Sequence, residues 1–135
     1  MQHRAPGIEG APLYDLKING VYPDDVYETL NYYNFGETDF KKAKNIVLNA
    51  RNKPDYMVSI YRAVPQNIYD AFAKEGKLDE AINSGDWVSI SKEYAKDHGK
   101  HYLDESLDMP ILTLKVPAKN LFTDGNSLLE WGYVK

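Results

Sequence analysis

Four short runs of alternating apolar and polar residues limit what this chain can fold into more than any other feature of its sequence. Each run is rich in β-branched and aromatic side chains and has proline or glycine close by, as is typical of β-strands. The runs are 56–65 (YMVSIYRAVP), 86–91 (DWVSIS), 110–118 (PILTLKVPA) and 127–134 (SLLEWGYV). Helical patterns precede and interrupt them, so we predict an α+β domain with a largely antiparallel or mixed sheet.

The helices are predicted from apolar residues that recur at steps of three and four. The clearest helix lies within 38–54, where Thr38 or Asp39 can cap the N-terminus. Its predicted buried face consists of Phe40, Ala43, Val47 and Ala50. The other predicted helices are 23–34, 67–76, one around 78–82, and 91–99, which would end at Gly99. Ile68 and Phe72 are expected to face inward.

The composition is that of one globular domain and argues against several classes of protein. The 135 residues are 43% hydrophobic and 27% charged, which suffices for a core of ordinary size. A net charge of −4 disfavours charge-driven binding to nucleic acid or to an acidic membrane. The absence of cysteine excludes disulfides and thiolate chemistry, and three histidines disfavour a metal site built from histidine alone.

The sequence indicates a short arm followed by one domain. Proline and glycine are frequent near the N-terminus, so we predict an irregular arm over 1–12 and the domain over 13–135. The chain has no run of about 18 apolar residues and no charged-then-apolar N-terminus, and we therefore expect neither a membrane span nor a signal peptide.

Two charged residues occupy positions where the strand patterns call for apolar side chains. Because alternate strand residues share a face, Arg62 shares one with Val58 and Ile60. Glu130 has apolar neighbours on both faces of its strand. An unpaired buried charge is costly, so each residue needs a partner or a ligand. The simplest interpretation is a structural ion pair between the two; a functional cleft and exposed positions are the alternatives.

Two serines on the second predicted strand also need an explanation. Ser91 directly precedes a predicted helix and is well placed to cap it. Ser89 has no such local role. It shares a strand face with Trp87, which places its hydroxyl group beside a large aromatic ring.

Three motifs stand in order along the chain: YRAVP around Arg62, GDWVSIS around Ser89, and EWGY beginning at Glu130. Together they resemble the ADP-ribosyltransferase family of the Arg-Ser-Glu class. That family carries an Arg on its first core strand, a Ser-Thr-Ser run on its second and a Glu on a later strand. More narrowly, about residues 13–135 are similar to small ADP-ribosyltransferase-like domains of phages and mobile elements.

The resemblance implies a split β-sandwich flanked by short helices, with NAD+ bound between two small sheets. Arg62 would hold a phosphate or a ribose hydroxyl of NAD+, as a planar guanidinium can. Ser89 would steady Glu130, whose carboxylate would stabilise the oxocarbenium-like cation that forms as nicotinamide departs. The implied activity is mono-ADP-ribosyl transfer from NAD+ to an unidentified acceptor, without a metal.

The resemblance also suggests further residues on the NAD+ side of the site. We expect contacts with NAD+ from Tyr61, Trp87, Ser91 and Tyr94. Trp87 and Tyr94 could stack on nicotinamide or adenine, and the alternative is a place in the core. The resemblance also implies a role as a toxin or effector. Because no signal peptide or transmembrane segment is visible, we expect the bacterial cytoplasm as location, with a phage or host gene as source.

One departure from the family pattern concerns the acceptor. Many members carry Gln or Glu two positions before the catalytic glutamate, whereas this chain has Leu128. A leucine cannot activate an arginine acceptor, so other acceptors, NAD+ hydrolysis and a catalytically inactive binding module stay open. The family's acceptor loop corresponds to 120–127, and its candidate residues are Phe122, Asp124 and Asn126.

Overall fold

The computed structural model describes residues 5–102 and 109–135, of which residues 98–102 are described through their helical backbone. Within these residues six strands form a single sheet. They are β1 (Ala11–Pro12), β2 (Met57–Ala63), β3 (Trp87–Ser89), β4 (Ile111–Pro117), β5 (Leu121–Thr123) and β6 (Glu130–Tyr133). The strand order is β1-β5-β6-β3-β2-β4, and each neighbouring pair is antiparallel. The predicted α+β class is confirmed.

The helices lie between the strands in the chain. The α-helices of the described residues are α1 (Phe40–Ala50), α2 (Gln66–Lys74) and α3 (Lys92–Tyr102). Short 3-10 helices cover Ile18–Gly20, Val26–Glu28, Leu30–Tyr33, Leu78–Glu80 and Ala118–Asn120. Two residues separate the end of β2 from the start of helix α2, and two separate the end of β3 from the start of helix α3. Each of these two strands carries a candidate site residue.

The core forms where the sequence periodicity predicts it. The four residues of the predicted apolar face of α1 are all buried, which confirms that face of the helix. Val58 and Ile60 of β2 lie opposite Val116 and Leu114 of β4 and bury one face of the sheet. The burial of such side chains stabilises the fold by about 1.5 to 3 kcal/mol for each large one.

The sheet narrows at its centre. β2 pairs with β4 along seven residues, whereas its register with β3 consists of one pair, Tyr61 opposite Ser89. On the far side of β3, three residue pairs join it to β6. The sheet therefore consists of a β2-β4 part and a β1-β5-β6-β3 part, and the two parts meet at Tyr61 and Ser89.

Several predicted elements differ from the observed ones. Residues 23–34 form two 3-10 helices, neither with a side-chain cap, instead of one α-helix. The predicted loop 120–127 contains β5, and the final strand begins only at Glu130. Ile68 of α2 is 40% exposed although its spacing predicts an inward position. Helix α3 continues past Gly99 to Tyr102.

The described part of the N-terminal arm packs onto the sheet. Residues 11 and 12 pair with β5, and Ala5 and Pro6 are buried. The backbone of Pro6 crosses β6 so closely that a Cβ atom at Gly132 would lie 1.9 Å from the Pro6 carbonyl oxygen. Glycine is therefore required at position 132, two residues after Glu130 on the same strand.

Candidate functional site

The strand register brings Glu130, Ser89 and Tyr61 into one row across the sheet. Ser89 of β3 lies directly opposite Glu130 of β6 on one side and Tyr61 of β2 on the other. Because directly opposed residues of antiparallel strands share a face, the three side chains leave the sheet on the same side. The row crosses the sheet at the point where it narrows.

The Glu130 carboxylate is partly buried and is held by a residue of helix α3. The Tyr94 hydroxyl donates a hydrogen bond to Glu130 Oε1 at 2.6 Å. Hydrogen bonds from a phenol to a carboxylate are short and strong when the acceptor is ionised. Tyr94, which the sequence suggested as a stacking residue, thus orients the candidate catalytic carboxylate through its hydroxyl group.

The two serines have different local roles. Ser91 Oγ accepts a hydrogen bond from the Tyr94 backbone N–H at 3.1 Å, so the predicted helix cap is confirmed. Ser89 Oγ accepts one from the Ser91 N–H at 3.1 Å, a local contact that the sequence pattern did not indicate. Both serines are buried, and the strand-to-helix turn between β3 and α3 is therefore stabilised by its own hydroxyl groups.

Arg62 lies where the β2-β3 ladder ends. Its Nη1 donates a hydrogen bond to the Trp87 carbonyl oxygen at 2.6 Å, which supplies that backbone group with a partner at the point where β2 provides none. Among the described residues no salt bridge joins Arg62 and Glu130, so the ion-pair interpretation is wrong. The reason is geometric: β3 lies between their strands, and Arg62 follows Tyr61, whose side chain shares the face of Glu130.

Tyr61 and Trp87 lie at the two sides of the narrow point. The Lys42 ammonium group lies 5.9 Å from the centroid of the Tyr61 ring, within cation–π range. A cavity of about 180 Å³ beside Tyr61 is lined by Lys42 and Ile90 among others. Since ligand pockets usually hold roughly 300–1,000 Å³, this cavity is too small for a whole dinucleotide. Trp87 is partly exposed opposite Gly132.

The chain was compared with protein-family models, with curated proteins and with solved structures. None of the three comparisons found a match. No helix among the described residues has the length and apolar character needed to cross a bilayer. No group of three or more metal-ligating side chains occurs within 5–102 and 109–135 as far as side chains are described.

The segment before β6 differs from its predicted form. Leu128 and Leu129 are both fully buried, so strict alternation does not extend back from Glu130. Of the predicted acceptor residues, Phe122 belongs to β5 and pairs with Gly132. Asp124 accepts hydrogen bonds from the backbone and the side-chain amide of Asn126, a local turn contact.

Sequence reasoning missed a set of polar contacts made by three consecutive residues, Glu37, Thr38 and Asp39, which we call the clasp. Ser127 Oγ donates a hydrogen bond to Glu37 Oε2. Thr38 Oγ1 donates one to Asp97 Oδ2 of α3 at 2.8 Å. Ser91 Oγ donates one to Asp39 Oδ2 at 2.8 Å. A positive φ of 68° at Asp39 is unusual for a residue other than glycine and has no signature in the sequence beyond an apparent helix cap.

Buried polar groups also lie close to the clasp. Burial raises the pKa of the Tyr22 phenol to about 12; the neighbouring Thr123 hydroxyl lowers the pKa by less, and the Glu37 carboxylate adds a small further rise. The Tyr22 hydroxyl and Glu37 Oε1 are shielded from solvent, and neither has a hydrogen bond of normal geometry among the described residues. Burying these two polar atoms without normal hydrogen bonds costs free energy, and this cost falls close to the loop that leads to Glu130.

Proposed function

We propose that this chain is an NAD-dependent mono-ADP-ribosyltransferase whose site consists of Arg62, Ser89 and Glu130. The observation that supports this most directly is the row formed by Glu130, Ser89 and Tyr61 at the narrow point of the sheet. Three motifs that are distant in the chain meet there through Tyr61 of YRAVP, Ser89 of GDWVSIS and Glu130 of EWGY, whereas Arg62 leaves β2 on the other face beside the same narrow point.

In the proposed reaction Glu130 acts on the ribose next to nicotinamide. The bond between the anomeric carbon and the nicotinamide nitrogen breaks, and its electron pair leaves with nicotinamide. The carboxylate stabilises the positive charge that develops on the ribose, as carboxylates do in glycoside hydrolysis. An acceptor nucleophile then forms the new bond to the anomeric carbon and releases its proton. Tyr94 contributes by holding Glu130 Oε1 in a fixed direction.

Arg62 is proposed to bind the diphosphate or the ribose of NAD+. A guanidinium has five N–H donors, and the described structure uses one of them for the Trp87 carbonyl. That bond fixes the direction of the side chain, and donors directed elsewhere can serve a phosphate. We also propose that the narrow point between β2 and β3 is the split between the two small sheets of an ADP-ribosyltransferase-like sandwich.

The experiment that tests this function follows nicotinamide release and label transfer from NAD+. The protein is incubated with adenylate-labelled NAD+ and a bacterial lysate, beside Glu130→Ala and Glu130→Gln variants. We expect both variants to lose at least about 100-fold in rate, the effect of removing one electrostatic stabiliser from an active site. Gln66→Ala, an exposed change in α2, serves as the folded control. Transfer that is equal in the wild type and the Glu130 variants would refute the assignment.

Hydrolysis of NAD+ is a second candidate, and Leu128 is the observation that favours it. Leu128 is fully buried and apolar, so the position two residues before Glu130 presents no group that could activate a side-chain acceptor. Water would then take the place of the acceptor. Nicotinamide release by the purified protein in buffer, at a rate that added lysate does not raise, would favour hydrolysis over transfer.

A further inference from the structure

The clasp joins chain segments that are far apart in sequence and that all adjoin the candidate site. Its partners lie 90, 59 and 52 residues from Glu37, Thr38 and Asp39, respectively. Each of the three consecutive side chains forms a hydrogen bond with a different residue: Ser127, Asp97 or Ser91. The clasp thus connects the start of α1, the turn before β6, and two points on and beside α3.

Two of these contacts lead to Glu130 by short routes. Asp39 accepts a hydrogen bond from Ser91 Oγ, and the same oxygen atom caps the Tyr94 N–H. The Tyr94 hydroxyl in turn donates a hydrogen bond to Glu130 Oε1. Because Ser91 Oγ holds the Tyr94 backbone at the start of α3, the place from which the Tyr94 side chain reaches Glu130 depends on the position of Asp39.

The second route runs through the chain itself. Ser127, held by Glu37, also accepts a hydrogen bond from the Leu129 N–H at 3.0 Å, one residue before Glu130. Ser127 is 8% exposed, so its contact with the clasp is largely shielded from water. The clasp therefore reaches the backbone of Glu130 from one side and its carboxylate from the other.

We propose that the clasp is the positioning element of Glu130, with Asp39 controlling the carboxylate through Ser91 and Tyr94, and Glu37 controlling the backbone through Ser127. This inference rests on the proposed function of Glu130. The left-handed backbone of Asp39 supports it, because such a conformation costs free energy that a purely local helix start would avoid. Asp39 has no side-chain cap bond within α1, and its carboxylate is directed to Ser91 instead.

The test compares substitutions of Asp39 that separate its carboxylate from its backbone. Asp39→Asn keeps an oxygen acceptor for Ser91 and suits a positive φ, so it should retain kcat. Asp39→Gly removes the acceptor but favours the backbone conformation, and Asp39→Ala removes the acceptor without that benefit. We expect kcat for nicotinamide release to fall about 10- to 100-fold in the Gly and Ala variants, with KM for NAD+ little changed.

The contact between Glu37 and Ser127 is tested in the same way. Glu37→Gln keeps an acceptor for Ser127 and should retain kcat, whereas Glu37→Ala should lower kcat. Gln66→Ala in α2, which removes an exposed side-chain contact outside the clasp, is the matched control and should match the wild type. Equal kcat values for Asp39→Gly, Asp39→Asn and the wild type would overturn the positioning role.

A second measurement tests the clasp without NAD+. Urea unfolding midpoints are measured for Asp39→Ala, Tyr94→Phe and the double variant. If the route through Ser91 is coupled, Tyr94→Phe lowers the midpoint less in the Asp39→Ala background than in the wild type. Additive shifts would overturn the inference even in an active enzyme. A wild type that releases no nicotinamide but shows coupled shifts would refute the proposed function and leave the clasp network supported.

Discussion

Helices α2 and α3 occupy equivalent places in the chain but differ in how they are attached. Each begins within three residues of a strand that carries a candidate site residue, Arg62 for α2 and Ser89 for α3. Helix α2 begins after Pro65 without a side-chain cap and has no buried residue. Helix α3 begins at the Ser91 cap and is bonded through its side chains to the clasp and to Glu130.

The contrast indicates which part of the molecule is constrained by the site. The side-chain contact described within α2, between Gln66 and Asp70, stays inside the helix and is exposed. Those of α3 connect segments more than 30 residues apart in the chain. A helix that only covers a surface can move without consequence for Glu130, whereas a shift of α3 would displace the Tyr94 hydroxyl from the carboxylate.

The largest expected difference between the two regions comes from truncating one isoleucine beside each helix. Ile90 lies two residues before α3 and is fully buried, whereas Ile68 in α2 is 40% exposed. Ile90→Ala should lower the free energy of unfolding by about 2 to 5 kcal/mol, because a cavity remains in the core. Ile68→Ala should change it by less than about 1 kcal/mol, since alanine has the higher helix propensity and little packing is lost. Urea unfolding of both variants measures the difference, and equal losses would contradict the contrast.

At alkaline pH the stability of the protein should depend on Tyr22, a buried residue close to Glu37 of the clasp. Because the pKa of Tyr22 is about 12 in the folded protein and 10 when exposed, its stabilising contribution is complete below pH 10. As pH rises towards 12 the unfolded state ionises first, and about 3 kcal/mol of unfolding free energy is lost. Urea unfolding from pH 9 to 12 should show this loss in the wild type and not in Tyr22→Phe. Parallel curves for the two proteins would show that Tyr22 is not the group responsible.

The sequence predicts local periodic features well. The buried face of α1 followed from its spacing, and the Ser91 cap followed from a serine that directly precedes a helical pattern. The α+β class followed from four short strand patterns separated by helical ones. Ile68 shows the limit of the same reasoning, because periodicity identifies an apolar face but not whether another element covers it.

Features that depend on the order of strands could not be predicted in this way. Alternation placed Arg62 and Glu130 in apolar surroundings but did not reveal that β3 lies between them. The clasp was equally inaccessible, because its partners are 52 to 90 residues distant and each of its side chains is of a type common in exposed turns. The assignment of NAD+ as substrate depends on a resemblance of motifs and stays a prediction until nicotinamide release is measured.

A smaller effect is expected from the helix starts themselves, and it tests the contrast most locally. Ser91→Ala removes the cap of α3 and the donor to Asp39, so the free energy of unfolding should fall by about 2 kcal/mol. Gln66→Ala at the first residue of α2 removes one exposed i,i+4 contact and should cost only about 0.3 kcal/mol. Both changes are measured by urea unfolding at neutral pH. If Ser91→Ala cost no more than Gln66→Ala, helix α3 would be held by its apolar packing alone, and Tyr94 would keep its place beside Glu130 without the clasp.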